Sequence, residues 1–288
     1  MEYITSKLFE RYGIPHGFMT RRGGVSVGEA FGSLNVSSSR KDADLRTDST
    51  ANVDENYRRI FAEFGTVPER CVNATQTHSD IILEVKSEDG GLGTIYSHGF
   101  MPECDGLLLR PNSGIDAVCV KTADCTPVIF ANTKTGSVCA VHAGWRGTVK
   151  GISAKAATLL AEESDVRDVI AAIGPCIGKC CYEVGEEVRR AAYEYFASET
   201  NDPSLSEALT EKCFAPKPGG KFMADLVALN REIIALCGVP EENIDSVGLC
   251  TCCTRRDGEP LFFSHRASGG HSGGELTLVK TGLLKIDD

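Results

Sequence analysis

Three short runs of consecutive apolar residues constrain the fold more than any other feature of the sequence. They cover residues 127–131, 137–141 and 169–173. A strand that is apolar at every position needs cover on both faces, whereas a strand with one wet face alternates apolar and polar residues. Segments of helical periodicity lie between the strand-like segments in irregular order. The sequence therefore predicts one compact domain of mixed α and β structure that spans residues 1–288.

A coarse assignment of elements follows from the same patterns. We expect further strands at residues 71–75, 80–85, 117–121, 246–249, 261–264 and 276–280, and two around the Gly13 turn near the start. Helices are expected at residues 52–64, where Asn52 and Glu55 are spaced like a capping pair, and at 148–163, 185–197 and 222–237. Residues 201–220 contain three prolines and two glycines, so we expect a surface excursion there.

Charge and cysteine usage exclude several classes of function. The chain has 30 basic and 40 acidic residues, a net charge of −10, and no long basic run, which argues against a nucleic-acid partner. No apolar run approaches the 18 or so residues of a membrane span. The 13 cysteines are an odd number in a long chain whose first residues lack the apolar stretch of a signal peptide. We therefore expect reduced thiols in a cytoplasmic protein.

Several familiar motifs fail on inspection. The segment Gly174–Lys179 resembles a phosphate-binding loop but has one residue too few between its glycines. Two Gly-x-Ser-x-Gly matches, at residues 24–28 and 270–274, lie in glycine-rich loops and lack the context of a nucleophile elbow. Cys250 and Cys253 form the only Cys-x-x-Cys pair, and a structural zinc site would usually need a second pair. We expect this pair, together with Cys176, Cys180 and Cys181, to be packing residues.

Three candidate metal ligands stand beside turn residues at the ends of apolar strands. They are His78, Cys125 and His142. Two imidazoles and a thiolate leave a fourth position open for water or substrate, which is typical of catalytic zinc. Spacing alone leaves the alternatives open: each histidine could be an ordinary hydrogen-bonded residue, and Cys125 could be an inert buried thiol.

A succession of motifs identifies the chain as similar to a known family. The motifs are Thr20–Ser26, Gln76–His78, Ala123–Pro127, His142–Thr148, Gly174–Ile177 and Tyr182–Gly185, in that order. This succession, from about residue 17 to 279, resembles the YfiH/YlmD family, once called multicopper polyphenol oxidases or laccase-domain proteins. The string Ala-Gly-Trp-Arg-Gly-Thr after His142 is its most specific part.

The resemblance implies both a fold and an activity. The fold would be α+β, a single YfiH-like domain with mixed sheets in α/β/β/α layers, similar to a cysteine-hydrolase fold. His78, Cys125 and His142 match the family's metal ligands. The implied activity is zinc-dependent phosphorolysis of adenosine, inosine and methylthioadenosine, together with adenosine deamination, so purine nucleosides and phosphate would be the partners.

The activity implied by the resemblance also suggests phosphate-binding and proton-transfer roles for other residues. Arg21 and Arg146 are the motif cations suited to bind phosphate through bidentate guanidinium contacts, although a surface ion pair is the alternative for Arg146. Asp124 could orient an imidazole or carry a proton, although it could equally be a turn residue. The end of the chain departs from the family pattern, because His265 replaces a tyrosine and His271 and Gly274 replace arginines that could hold an anion.

Three other functions remain open. Cys125 activated by His142 would make a thiol hydrolase acting on an amide of peptidoglycan precursors. Copper could occupy the site in a polyphenol oxidase, although six histidines are few for several copper ions. A non-enzymatic protein with a structural metal would need a fourth protein ligand, which the three segments do not obviously supply.

Overall fold

The computed structural model describes residues 1–37 and 48–282. The predicted domain of residues 1–288 therefore includes two segments, 38–47 and 283–288, that lie outside the described residues. The helices of the described part are α1 Lys7–Arg11, α2 Thr50–Glu63, α3 Trp145–Thr148, α4 Ile152–Ala161, α5 Glu186–Thr200, α6 Pro203–Cys213 and α7 Leu226–Leu236.

The strands form two large sheets and two small ones. In chain order they are β1 Tyr3–Ile4, β2 His16–Met19, β3 Cys71–Asn73, β4 Ile82–Glu84, β5 Gly106–Leu109, β6 Ala117–Thr122, β7 Thr126–Asn132, β8 Val138–Ala143, β9 Val169–Ile173, β10 Glu183–Val184, β11 Phe214–Lys217, β12 Lys221–Ala224, β13 Ile244–Ser246, β14 Arg255–Arg256, β15 Glu259–Pro260 and β16 Glu275–Lys280. One large sheet has the order β1-β2-β16-β6-β3 and the other β13-β9-β7-β8-β5-β4. Both mix parallel and antiparallel pairs.

The two large sheets pack face to face between helices. Residues of β6 and β7, such as Val118, Val120 and Ile129, share one apolar cluster that lies between the sheets. The outer face of the six-stranded sheet is covered by α4 and α7, and that of the five-stranded sheet by α2. This α/β/β/α arrangement confirms the α+β fold with mixed sheets expected from the sequence.

The consecutive apolar runs become strands that are buried on both faces. In β7, Val128 and Phe130 contact the helical layer, whereas Ile129 and Ala131 face the other sheet. All four side chains are fully buried. Because neighbouring residues of a strand point to opposite faces, a strand in the middle layer must be apolar at every position.

Several predicted boundaries were wrong for local reasons. The helix expected at 148–163 is divided, because Gly151 at φ +80° breaks it before α4. The helix of residues 52–64 begins earlier than predicted, and its cap is Ser49, whose hydroxyl accepts from the Asn52 N–H. Between the two strands near Gly13 lies α1, and residues 261–264 are buried without forming a strand.

The segment 201–220 is not a surface excursion. It contains α6 and β11, because Asp202 caps the helix and Pro203 occupies its first turn, where the missing N–H costs nothing. The helix expected at 222–237 starts at Leu226, after Asp225 caps it, and residues 221–224 pair instead as β12. Helices α5, α6 and α7 enclose a further apolar cluster with these short strands.

No helix within residues 1–37 and 48–282 is long and apolar enough to cross a membrane.

Candidate metal centre and active site

His78, Cys125 and His142 come together, although 47 and 17 residues separate them along the chain. One ligand atom from each residue lies within 4.8 Å of the other two. The Cys125 Sγ is 3.8 Å from the His78 Nε2, and the two imidazole rings are 4.9 Å apart at their centroids and nearly perpendicular. The three ligands predicted from the sequence therefore form one cluster.

The two large sheets position these side chains. His142 is in β8, near its end, and is buried. Cys125 lies in the segment of residues 123–125 that connects β6 of one sheet to β7 of the other. His78 lies in the segment that leads from β3 to β4 and likewise passes between the sheets, and its backbone adopts φ +62°. The cluster is thus built where the chain crosses between the two sheets.

Asp105, the residue just before β5, holds both histidines. Its Oδ1 accepts from the His142 Nδ1 at 2.7 Å and from the His78 N–H at 3.0 Å. The other carboxylate oxygen accepts from the N–H groups of Thr77 and Ser79 and from the Ser79 hydroxyl. Since the Nδ1 of His142 is engaged, its Nε2 is the nitrogen available to a metal, as in the carboxylate–histidine arrangement of zinc sites.

Cys125 and His142 perturb each other's titration. Burial opposes ionisation of the thiol, but the charge of His142 and hydrogen bonds from both histidines lower the pKa of Cys125 to about 6. Burial likewise opposes the charged imidazole, but Cys125 and Asp105 raise the pKa of His142 to about 9. Asp105 is itself buried, yet its hydrogen bonds with His142 and Ser79 hold its pKa well below its usual range. The site therefore favours a thiolate, the form in which cysteine binds metals.

The space between the ligands fits a metal ion. A Cβ added at Gly144 would lie 2.8 Å from the His78 ring and 3.1 Å from the Cys125 Sγ, so glycine keeps this space open. A metal ion with bonds of about 2.0–2.3 Å to nitrogen and sulfur can reach all three donor atoms, because these atoms lie within 4.8 Å of one another. Two imidazoles and one thiolate are also a donor set that borderline-soft ions prefer. The cluster can therefore bind a metal ion, and three protein donors leave a position for a further ligand.

A pocket of about 640 Å³ opens over this cluster. Such a volume lies within the range of about 300–1,000 Å³ typical of small-molecule sites. Three cationic side chains line it, and so do aromatic side chains and the candidate ligands. These lining residues are Lys121, Arg146, Arg266, Phe100, Trp145, Tyr182, His78, Cys125 and His142. The pocket thus combines apolar surface with positive charge.

Arg146 and Arg266 are held by aromatic rings. The Arg146 guanidinium lies 4.3 Å from the centroid of Trp145, and in the part of the chain that the structure describes it forms no ion pair. Arg266 lies 5.3 Å from the centroid of Tyr182 and donates to the carbonyl oxygens of Cys181 and Glu183. Both guanidinium groups are therefore held in place at the pocket, where their positive charge can bind an anionic ligand.

Arg21 does not line this pocket. Its guanidinium donates to the carbonyl oxygens of Gly32 and Glu29 at 2.7 Å and lies over the Phe263 ring. Arg21 borders a separate cavity, where His271 also lies in contact with Phe31. The structure thus brings Arg146, but not Arg21, to the candidate ligands.

Asp124 lines the pocket but does not hold an imidazole. Its backbone adopts φ +87°, and its carboxylate accepts from the Thr251 hydroxyl and from the Arg266 N–H, both at 2.6 Å. Gly274 also lines the pocket, and its N–H donates to the Asn35 Oδ1. The residue that orients His142 is instead Asp105, which the sequence prediction missed because it precedes β5, a strand that was also missed.

The sequence belongs to a described family, as comparisons with known proteins show. Residues 15–281 match the family described as multi-copper polyphenol oxidoreductase laccase. The chain is 33% identical to the purine nucleoside phosphorylase YlmD of Bacillus subtilis over 91% of this chain and 87% of that protein. It is 29% identical to the adenosine deaminase RL5 of an unknown prokaryote over 90% and 91% of the two chains.

A solved structure agrees with this relationship. The crystal structure of YlmD from Geobacillus stearothermophilus is 30% identical in sequence and superposes with a TM-score of 0.80, covering 96% of this chain and 94% of that one. The two chains therefore share the layered α+β fold over nearly their whole length. The chain is therefore a member of the YfiH/YlmD family of laccase-domain proteins.

Proposed function

We propose that this protein is a zinc-dependent purine nucleoside phosphorylase that cleaves adenosine, inosine and methylthioadenosine and also deaminates adenosine. The observation that carries this proposal is the position of His78, Cys125 and His142 in a pocket lined by Lys121, Arg146 and Arg266. Relatives named for purine nucleoside phosphorylase and adenosine deaminase activity support it.

His78, Cys125 and His142 would hold the metal. A zinc ion bound there would supply Lewis-acid polarisation of water or of a substrate atom. The Asp105 carboxylate would hold the His142 ring in place, and its negative charge would favour a metal cation bound to that ring. These are the residues that we assign to the metal, and through it Cys125 and His142 would act on the reacting atoms.

Phosphate would bind to the cationic side chains. In phosphorolysis a phosphate oxygen forms a bond to the ribose anomeric carbon, while the bond from that carbon to the purine nitrogen breaks and the departing base takes up a proton. Arg146 and Arg266 present fixed guanidinium groups, which match phosphate oxygens bidentately, and Lys121 adds a third charge. Arg21 is not included, because its guanidinium is bound to a loop outside the pocket.

The base would lie against the aromatic side chains. Tyr182, Phe100 and Trp145 line the same pocket as the metal ligands. A purine is flat and apolar on its faces, so it gains by contact with aromatic rings. We assign Asp124 a positioning role, because both of its carboxylate oxygens already accept hydrogen bonds from Thr251 and Arg266.

Zinc accounts for the donor set better than several copper ions do. The chain has six histidines, all within the described residues, but only His78 and His142 belong to a cluster of possible metal ligands there. Multinuclear copper sites are built mainly from imidazoles. A single copper ion would bind to the same three protein ligands as zinc. Metal analysis of the purified protein will identify the ion.

The decisive experiment is a paired assay of the purified protein. Inosine with phosphate should give hypoxanthine and ribose 1-phosphate, and adenosine without phosphate should give inosine. Cys125→Ser should abolish both reactions and lower the zinc content. If neither product forms with metal-loaded wild-type protein, the proposed function is wrong.

One observation favours a second candidate, a thiol hydrolase acting on a peptidoglycan amide. Cys125, His142 and Asp105 are arranged as nucleophile, base and orienting acid, and the pKa of Cys125 is lowered to about 6, with burial opposing the effect of the histidines. Metal-free protein whose activity disappears on alkylation of Cys125 would support the hydrolase. Stoichiometric metal that protects Cys125 from alkylation would support the phosphorylase.

A further inference from the structure

A second cluster of thiols lies outside the three-ligand site. The Sγ atoms of Cys180, Cys181, Cys250 and Cys253 all lie within 4.8 Å of one another. Cys180 and Cys253 are 3.5 Å apart at sulfur, and all four residues are free cysteines. None of the four is used by the proposed reaction, so their grouping needs its own explanation.

Two loops distant in sequence meet to form this cluster. Cys180 and Cys181 lie in a turn in which the N–H groups of Cys181 and Tyr182 donate to the Gly178 carbonyl. Cys250 and Cys253 lie in a second turn, closed by a hydrogen bond from the Thr254 N–H to the Cys250 carbonyl. A short bridge at Cys176 and Cys250 joins the two loops. The backbone therefore presents two pairs of thiols to a common centre.

The distances suit a single ion. Zn–S bonds of about 2.3 Å place the sulfurs of a tetrahedral site about 3.8 Å apart. The separations in this cluster, 3.5 Å for Cys180 and Cys253 and no more than 4.8 Å for any pair, are close to that value. An iron–sulfur cluster would interpose several atoms and hold the cysteine sulfurs farther apart.

The backbone around Cys250 also favours a thiolate. The Gly178 N–H donates to the Cys250 Sγ at 3.2 Å. A Cβ at Gly178 would lie 3.2 Å from the Cys250 Cβ and 3.4 Å from the Cys180 Sγ, so a larger residue would crowd this approach. Backbone N–H donors to a sulfur stabilise its negative charge, as outer hydrogen bonds do in metal sites.

We propose that Cys180, Cys181, Cys250 and Cys253 bind one Zn²⁺ as a closed, structural four-thiolate site. Four protein ligands leave no position for substrate, in contrast to the three-ligand cluster at His78, Cys125 and His142. The protein would then carry two metal sites of different kind, one open and one closed. This inference stands apart from the proposed function, because it depends only on the four thiols.

The ion would fix one wall of the large pocket. The Cys180 loop continues into Tyr182, whose ring faces Arg266, and the Cys181 carbonyl accepts from the Arg266 guanidinium. From the other loop, the Thr251 hydroxyl donates to Asp124. One ion that bound both loops would therefore hold Tyr182 and Asp124, two residues that line the pocket.

Metal content of the purified full-length protein tests the proposal directly. Wild-type protein made without a histidine tag should contain one more zinc ion per chain than Cys180→Ser or Cys253→Ser, which means two against one when the first site is also filled with zinc. Both of these cysteines are exposed, so their replacement should leave the apolar core intact. Cys252→Ser is the matched control, because Cys252 lies in the same turn but outside the cluster, and it should retain both ions.

Variants of the first site separate this proposal from the proposed function. Cys125→Ser should lose one ion while keeping the four-thiolate site, and the double variant with Cys253→Ser should lose both. Replacing zinc by Co²⁺ in Cys125→Ser should give intense thiolate-to-cobalt absorption from a tetrahedral four-sulfur site. Alkylation of Cys180 and Cys253 should be slow until a chelator removes the metal.

Three results would overturn the proposal. The first is wild-type zinc content that Cys180→Ser and Cys253→Ser leave unchanged. The second is a disulfide among the four cysteines in protein purified under air-free conditions. The third is a four-sulfur Co²⁺ spectrum that persists in Cys253→Ser. A normal paired nucleoside assay in the presence of any of these would leave the proposed function standing while rejecting the second site.

Discussion

The Asp105 carboxylate binds the imidazole of His142 at 2.7 Å and, with the same oxygen, the backbone N–H of His78 at 3.0 Å. One buried side chain thus orients two of the three candidate ligands. Asp105→Asn keeps the size but removes the charge and places an amide against several N–H donors. We expect metal affinity to fall about 10–100-fold, the usual effect of losing such an outer partner.

Competition with a chelator of known affinity would measure this loss. Asp116→Asn is the control, because Asp116 is a half-buried carboxylate that binds Thr66 and Arg70 but lies outside the site. Equal metal affinity of the wild type and Asp105→Asn would show that Asp105 does not position the ligands.

Gly144 sets the free space between the ligands. Gly144→Ala would place a methyl group 2.8 Å from the His78 ring and 3.1 Å from the Cys125 Sγ. We expect the zinc content and both nucleoside activities to drop together, with a smaller effect on thermal stability. Gly282→Ala is the control, because its Cβ would meet only Pro15 at 3.5 Å, an ordinary contact. Full activity of Gly144→Ala would refute this account of the site.

Arg146 should act on phosphate and not on the metal. Arg146→Ala removes a charge-assisted contact, which predicts a rise of about tenfold or more in the KM for phosphate. Adenosine deamination needs no phosphate, so its rate should change little, and zinc content should stay the same. Steady-state kinetics of the two reactions side by side would show the difference.

Arg190→Ala provides a matched control for Arg146, since Arg190 is exposed and pairs only with Glu194 on α5 among the described residues. It should leave both reactions unchanged. An equal loss of phosphorolysis and deamination in Arg146→Ala would instead assign Arg146 to the nucleoside or to folding.

Arg21 should be important for stability and not for phosphate binding. Its guanidinium donates to two loop carbonyls and lies over Phe263, so Arg21→Ala leaves two acceptors without a partner. We expect a cost of about 1–3 kcal/mol in the free energy of unfolding. Chemical denaturation should show this loss, with the KM for phosphate unchanged. A raised KM with unchanged stability would restore Arg21 as a phosphate ligand.

The environment of His16 predicts that the folded protein loses stability in mild acid. Its Nε2 accepts from the Ser6 N–H at 2.7 Å, and its Nδ1 is 2.8 Å from the Ile14 carbonyl, which fits a neutral ring. Burial lowers the pKa of His16 below 6.5, although Ile14 and nearby acids oppose the change. The unfolded chain therefore binds the proton more readily, and the contribution of His16 to stability is present above pH about 6.5 and decreases as the pH falls.

Denaturation at a series of pH values would measure this effect. The free energy of unfolding should fall by up to about 1.4 kcal/mol per pH unit below pH about 6.5, until the pH reaches the folded pKa. In His16→Gln, which cannot titrate, that part of the slope should disappear. Parallel pH profiles for the two proteins would exclude His16 as the cause.

The middle layer of the fold and the ligands of the first site could be predicted from the sequence. Strand β9 matches its predicted bounds, and β7 and β8 lie close to theirs, because burial on both faces leaves an apolar residue at every position. His78, Cys125 and His142 could be named because each ends a strand or follows one, and because the motifs resemble those of the family. Their proximity could not be derived, since spacings of 47 and 17 residues carry no geometric information.

Two features escaped prediction for physical reasons. Asp105 binds residues 77–79 and 142, which lie far from it along the chain. A local sequence pattern cannot indicate such a contact. The sequence predicts packing residues at the four-thiol cluster, because it contains only one Cys-x-x-Cys pair. The second pair is adjacent, Cys180 and Cys181, and only the turn at Gly178 brings both sulfurs to the same side.

The connection between β6 and β7 is only three residues long, Ala123–Cys125, and it passes from one large sheet to the other. So short a tether cannot stretch to accommodate a shift of the two layers, and Cys125 is part of it. The spacing of the three candidate ligands is consequently set by the packing of the sheets, while the pocket residues His265, Arg266 and Ser272–Gly274 lie in loops. On the proposed function, exchange of these loop residues would therefore change substrate preference while the candidate ligands kept their places.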